Sequence, residues 1–213
     1  MDSLAALLPP LLEGLAVTVQ ITVGAACLAI PLALAAGLGR LSRHAALRWP
    51  AATYVEVFRG TSALVQLFWF YFVLPLFGIR LPAMAVGIAV LALNAGAYGA
   101  EVVRGAVHAV ASGQREAALA LNMTPAQTMR RIVLPQAIPA MLPPAGNLLI
   151  ELLKNTALVS LITIADMTFR GQVLRSETLR STEIFGLMLA LYFAVALVIT
   201  AGMRLLERRV RVR

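Results

Sequence analysis

Apolar residues gather along this chain in five long runs. The first extends from about Leu15 to Leu38, with Thr18, Gln20 and Thr22 as its polar members. The second, rich in Leu and Phe, runs from about Thr61 to Phe77. A short loop from Gly78 to Pro82 separates it from the third, about Ala83 to Ala100. The fourth lies between Ala137 and Met167, is broken by Pro139, Pro143 and Pro144, and carries Glu151 and Lys154. The fifth runs from about Ile184 to Leu206. A helix that crosses a bilayer needs about 20 mostly apolar residues, and its backbone must satisfy its own hydrogen bonds in lipid. The pattern therefore predicts an all-α polytopic membrane protein of about five transmembrane helices, a single transmembrane domain over residues 1–213. Five spans put the two termini on opposite sides.

One stretch departs from this pattern. Residues 104–135 are too polar to span, and loops beyond about 12–15 residues usually carry a function. They read as two short helices. Gly113 to Leu121 holds Arg115, Glu116 and the small residues Ala117, Ala118 and Ala120. Asn122 follows where a helix can end in a left-handed residue, a conformation that Asn tolerates best after Gly. Thr124 suits an N-cap, Pro125 the first helical position, and Gln127 completes a Thr-x-x-Gln capping box. The second helix carries Arg130 and Arg131 and is expected to stop at Leu134-Pro135. Two readings stay open: a solvated elbow lying against the membrane, or a docking knob with Glu116 as its directional contact.

Composition and charge sharpen the class. The chain is 60 % hydrophobic and 13 % charged, where soluble domains average about 25 % charged. That excludes a soluble enzyme, a disordered chain and a disulfide scaffold. The net charge of +8 would suggest nucleic acid on a soluble domain, but here the bases sit between and beside the apolar runs. Thirteen follow runs one, three and five or lead into run two, against four (Arg80, Arg170, Arg175, Arg180) on the other side. By the positive-inside rule the C-terminus is cytoplasmic and the N-terminus outside. Arg208, Arg209, Arg211 and Arg213 read as an anchor beside anionic lipid. The first charges are acidic, Asp2 and Glu13, so no signal peptide is expected and the first span is retained. Cys27 reads as packing, His44 and His108 are too isolated for a metal site, and Asp166, Arg170 and Arg175 read as exposed outer charges.

A short echo links two runs: Glu56-Val-Phe-Arg59-Gly60 and Glu101-Val-Val-Arg104-Gly105. Each places Glu and Arg at i, i+3, close enough on a helix to pair.

The polar segment carries a recognisable spacing. Arg115-Glu-Ala-Ala118, then Asn122, then Ile132-Val-Leu-Pro135 resembles the EAA loop, about residues 110–135, of permease subunits of bacterial ABC importers. The wider chain, from about Leu11 to Arg209, is similar to the polar amino acid permease family. Glu56 to Gln66, Gly96 to Gly105, Gly113-Gln114, Leu134 to Ala137 and Glu151 to Thr156 carry that likeness. The family usually has Gly where this chain has Asn122. That swap, with Tyr71-Phe-Val-Leu-Pro75 and Ala165-Asp-Met-Thr-Phe169, is similar to the subgroup for ectoine and hydroxyectoine.

The resemblance implies a transport subunit of the bacterial cytoplasmic membrane without bond chemistry of its own. ATP and Mg would be bound by a partner ATPase, with no cofactor in this chain. That agrees with the lack of a Gly-x-x-x-x-Gly-Lys-Ser/Thr loop in the sequence. The implied partners are two ATPase subunits, a second permease (a paralogue or an identical copy) and an extracytoplasmic solute-binding protein; no nucleic acid is expected. Arg115, Glu116, Ala117, Ala118 and Asn122 would form the ATPase-coupling segment, driving alternating access through spans three and four. The candidate solute contacts are the costly intramembrane polar groups Asn94, Tyr98, Glu101, Glu151, Lys154 and Asn155. Each has a structural alternative: Glu151 and Lys154 as a self-satisfied pair, the stripe Asn94, Tyr98 and Glu101 as interhelical hydrogen bonding, Glu101 as the partner of Arg104. Importers of glutamine, arginine or histidine, a membrane enzyme, and a non-transporting scaffold remain as alternatives.

Overall fold

The computed structural model describes Leu4 to Arg211, so Asp2 and Arg213 lie outside the described residues. Those residues form nine α-helices joined by shorter π and 3-10 turns, with no strand among them. They are α1 Leu4–Arg40, α2 Ala45–Gly60, α3 Ala63–Phe68, α4 Ala83–Ala109, α5 Ser112–Ala120, α6 Pro125–Thr128, α7 Leu134–Asn155, α8 Met167–Thr178 and α9 Ser181–Arg211. Four helical stretches are long and apolar enough to cross a membrane; α2 with the segment Ala63–Phe77 makes a fifth if that bent pair is one span.

The bundle is built on α1 and α4, which run parallel. Gly24 faces Ile88, Ala33 faces Gly99 and Gly37 faces Val103 along their length. Small side chains permit this approach: a Cβ at Gly99 would lie 2.7 Å from the Ala33 Cβ, and one at Gly96 would lie 2.8 Å from the Tyr54 hydroxyl. Lipid is as apolar as leucine, so membrane helices associate through close packing of this kind. Helix α7 runs antiparallel to α4, and α9 antiparallel to α7, with Gly146 opposite Met203 and Lys154 near Tyr192. The main core gathers Ile21, Leu67, Val90, Leu91, Leu152, Val159 and Ile162 from five elements.

The structure corrects five expectations. The second apolar run is not a span by itself: Ala63–Phe77 makes a candidate span only together with α2, from which it turns by 104° at Thr61-Ser62. The fourth run is not broken by its prolines, nor does the preceding helix stop at Leu134-Pro135. From Pro125 the helix passes through a π turn at Met129–Val133 into α7 and reaches Asn155. The widened turn lets the Leu134 N–H reach the Met129 carbonyl just ahead of Pro135, which has no N–H to give. Pro139, Pro143 and Pro144 each forfeit one bond, whereas breaking the helix in lipid would expose many more. Cys27 faces outward instead of packing. Asp166 is wholly buried, not an exposed charge.

The end of α5 follows the sequence reading. Asn122 takes φ 54° and closes the helix: Met123 N–H donates to the Ala118 carbonyl at 3.0 Å and Asn122 N–H to Leu119 at 2.9 Å. This is the paired pattern of a Schellman cap. The Thr124–Gln127 capping box also forms, with both reciprocal bonds present. Asn122→Val is expected to destabilise this turn by about 1–2 kcal/mol, because a β-branched side chain is strained at positive φ. Faster amide exchange over Ser112–Ala120 in the variant checks it.

Candidate functional site

Helices α4 and α7 meet along a narrow cleft. Its polar lining is Asn94 and Tyr98 from α4 with Glu151 and Asn155 from α7; Leu91, Leu148 and Leu152 form apolar walls. The residues on each helix are four apart, so both pairs project on one face a turn apart. Four of the six candidate pathway residues therefore come together. The other two do not. Glu101 lies one turn beyond Tyr98, in a cluster of arginines. Lys154 lines a separate groove between α7 and α9, against Leu189, Tyr192 and Phe193. Glu151 and Lys154 open onto different spaces rather than forming a closed pair.

Asn94 also holds the bend between α2 and α3. That bend strips the Phe58 carbonyl of a helical partner, and an unsatisfied carbonyl in lipid is costly. The Asn94 Nδ2 donates to it at 3.0 Å, and so does Gln66 Nε2, at 3.0 Å. Gln66 Nε2 also reaches the Thr61 hydroxyl at 2.7 Å, and its Oε1 accepts from Asn94 at 3.3 Å. The Asn94 amide nitrogen is thus committed to the frame. The sequence signal for Gln66 is a lone amide just after Gly60-Thr61-Ser62, near the edge of an apolar run.

Three helices converge on the Glu101 carboxylate. Arg104 donates from Nε at 3.0 Å and Nη2 at 2.8 Å, as the i, i+3 spacing predicted. Arg40 of α1 bonds the other oxygen and also reaches Glu56 at 3.3 Å. Arg59 of α2 stands 4.0 Å from Glu101, with its guanidinium 5.4 Å from the Tyr98 ring centroid. The two echoed motifs therefore meet, but not as two matching pairs: Arg40 takes Glu56, while Arg59 turns to Glu101 and Tyr98. The spacing-based expectation of a Glu56–Arg59 pair is thus corrected, and Arg40, which the sequence marks only as topology signal, joins the cluster because its partner Glu101 lies 61 residues away.

The candidate coupling residues stand on α5 and, for Asn122, in the turn that ends it, at the same end of the bundle as this cluster. Ala118 is buried, whereas Glu116, Ala117, Leu119 and Asn122 are exposed. Leu119 and Leu121, each 73 % exposed, are apolar groups on a short element outside the spans. Arg115 turns back toward the bundle, where its Nη2 donates to the Val107 carbonyl at 2.8 Å.

At the opposite end Asp166 caps α8, accepting from the Phe169 N–H at 2.9 Å. Burial lifts its carboxyl above the ordinary range, against the opposing pull of backbone hydrogen bonds from Phe169 and Thr168. The chain supplies no group of three metal-ligating side chains among the described residues.

Comparison with known proteins places this arrangement. The family model described as "Binding-protein-dependent transport system inner membrane component" matches residues 29–212. A probable amino-acid ABC transporter permease protein, y4tF of Sinorhizobium fredii, is 46 % identical over 209 residues, covering 95 % of this chain and 88 % of its own. The glutamine transport system permease protein GlnP of Escherichia coli K12 is 35 % identical over 212 residues, covering 96 % of this chain and 94 % of its own. A crystal structure of an amino acid ABC transporter with histidines superposes with a TM-score of 0.87 at 39 % identity, over 94 % of both chains.

Proposed function

This chain belongs to the family of inner membrane components of binding-protein-dependent transport systems and is a permease subunit of an amino-acid ABC importer, and from that premise we propose how it works. Its relatives are transport components, not enzymes, and ATP hydrolysis belongs to a separate subunit. The solute is a zwitterionic, amino-acid-class molecule that passes through the cleft of Asn94, Tyr98, Glu151 and Asn155. Glu151 supplies the anionic contact for the ammonium end. The Tyr98 ring, Asn155 and the Asn94 oxygen supply the rest. Glu101 and Lys154, which lie off the cleft, frame the pathway. Two ATPase subunits, holding ATP and Mg, dock on the face of α5 that carries Glu116 and Ala117. A second permease, a paralogue in our reading, and an extracytoplasmic solute-binding protein complete the complex. The C-terminus is cytoplasmic.

One observation carries this reading: the two helices that line the cleft, α4 and α7, are the two that flank the coupling segment. A force on α5 therefore has a short route to both walls of the cleft. Alternating access needs such an element, one whose contacts differ between two global states.

The narrower substrate reading, ectoine or hydroxyectoine, rests on Asn122, Tyr71 to Pro75 and Ala165 to Phe169. These positions lie outside the cleft. Asn122 caps α5, Asp166 caps α8, and the Tyr71 hydroxyl sits 3.1 Å from that of Thr163. The cleft itself supports the broader amino-acid class.

The test is reconstitution in liposomes with the ATPase, partner permease and binding protein, and ATP-dependent uptake of labelled solute. Calorimetry of the binding protein against glutamine, arginine, histidine and ectoine selects the solute. Glu151→Gln is expected to raise the half-saturating solute concentration about tenfold, the smaller effect of losing a charge-assisted bond. Unchanged uptake kinetics in that variant removes Glu151 from the pathway. Absence of uptake by the wild-type complex defeats the transport reading altogether.

A further inference from the structure

The coupling segment joins its two neighbours by different means. Toward α7 the turn at residues 121–124 is held by the Asn122 cap and the Thr124–Gln127 box, after which α6, the π turn and α7 form one rod from Pro125 to Asn155. Toward α4 the helix is interrupted. Val110 and Ala111 are extended, with ψ of 125° and 136°, so α5 would hinge freely against α4 there. The hinge is bridged by a side chain. The last carbonyls of a helix have no intrahelical partner, and a cation near them is favoured by the helix dipole. The Val107 carbonyl, in the last turn of α4, is one of these, and the Arg115 Nη2 donates to it at 2.8 Å. A second tie runs to the other neighbour: Gln136 Nε2 on α7 donates to Gln114 Oε1 at 3.3 Å.

Face and side agree with the bond. Arg115 and Ala118 are three apart and lie on one face of α5, and Ala118 is wholly buried. Glu116 and Ala117, the exposed pair in the proposed docking face, turn away from it. Arg115 is itself exposed, but its guanidinium reaches back to α4 on the side of α5 that carries Ala118, although the sequence motif runs straight through it.

Resting on the transport reading above, we propose that Arg115 is a positioning residue rather than a docking contact: it makes α4 follow α5 across the break at Val110-Ala111. Movement of α5 is thereby delivered to the α4 wall of the cleft, Asn94 and Tyr98, as well as to the α7 wall. Without the bond the α7 wall moves and the α4 wall lags, and ATP is spent without full transit of solute.

The experiment compares wild type, Arg115→Gln and Arg115→Lys in the complete importer in liposomes, reading solute moved per ATP hydrolysed. With Arg115→Gln the ATPase is expected to co-purify at wild-type levels while the transport ratio falls about tenfold, in keeping with loss of a charge-assisted hydrogen bond. Arg115→Lys, which keeps a cationic donor near the helix end, is expected to recover most of the ratio. Loss of the ATPase from Arg115→Gln overturns the proposal by making the residue a docking contact; an unchanged ratio overturns it too. Hydrogen exchange of the purified chain separates this from the transport reading. Arg115→Gln should speed exchange of the α5 amides while leaving those of α4 and α7 protected, whatever the complex transports, and unaltered α5 exchange defeats the proposal.

Discussion

Glu101→Gln is expected to destabilise the folded chain by about 1–3 kcal/mol, the cost of leaving charged donors without their acceptor. The cost stays modest because the cluster is only partly buried: the Arg104 side chain keeps 39 % of its surface exposed and that of Glu101 20 %. The carboxylate holds Arg104 and Arg40 and lies 4.0 Å from Arg59, so its loss leaves three guanidinium groups of α1, α2 and α4 converging on a neutral amide. Glu56 alone cannot offset them; it bonds only Arg40 and is 70 % exposed. Denaturant titration of the purified protein in detergent measures the effect. Adding Arg104→Gln to the variant should restore part of the loss, since it removes one of the repelling charges. That non-additivity marks residues sharing one network. A Glu101→Gln protein as stable as wild type would show that the cluster contributes only position.

Glu116→Lys acts through a different failure. Glu116 is exposed on α5 and makes no ion pair within the chain among the described residues, so reversing its charge leaves the fold intact. If α5 docks the ATPase as proposed, the reversal sets like charges or an unpaired charge in the contact, at a cost of several kcal/mol. ATP-dependent uptake should fall about 100-fold or more, and the ATPase should no longer co-purify. Solute binding to the separate receptor should not change. Normal uptake at matched expression would exclude Glu116 from the coupling contact. The pattern is opposite to that of Arg115→Gln, which keeps the ATPase and loses the transport ratio.

The legible features share a physical basis. Asn122 and the Thr124–Gln127 box are local: the atoms that satisfy one another lie within five residues, so residue type and spacing suffice. The Glu101–Arg104 pair is local in the same way. The features that escaped depend on what a distant helix offers. The bend at Thr61-Ser62 survives in a membrane because Asn94, 36 residues from Phe58, satisfies the carbonyl it exposes. Prolines 139, 143 and 144 looked like breaks because proline destabilises an isolated helix, but lipid makes the alternative to a helix worse.

The same division runs through the candidate site. Hydrophobic run length, turn chemistry and charge placement were enough to establish a polytopic helical membrane protein with a capped polar elbow, because each reads out a short-range cost of exposing backbone or charge. Which intramembrane polar groups share a space could not be read along the chain. Asn94, Tyr98, Glu151 and Asn155 meet because α4 and α7 pack antiparallel, whereas Glu101 is drawn to arginines of α1 and α2, and Lys154 opens toward α9. Helix periodicity assigns a face to each residue, but the packing of small residues such as Gly96 and Gly99 decides which helix that face meets.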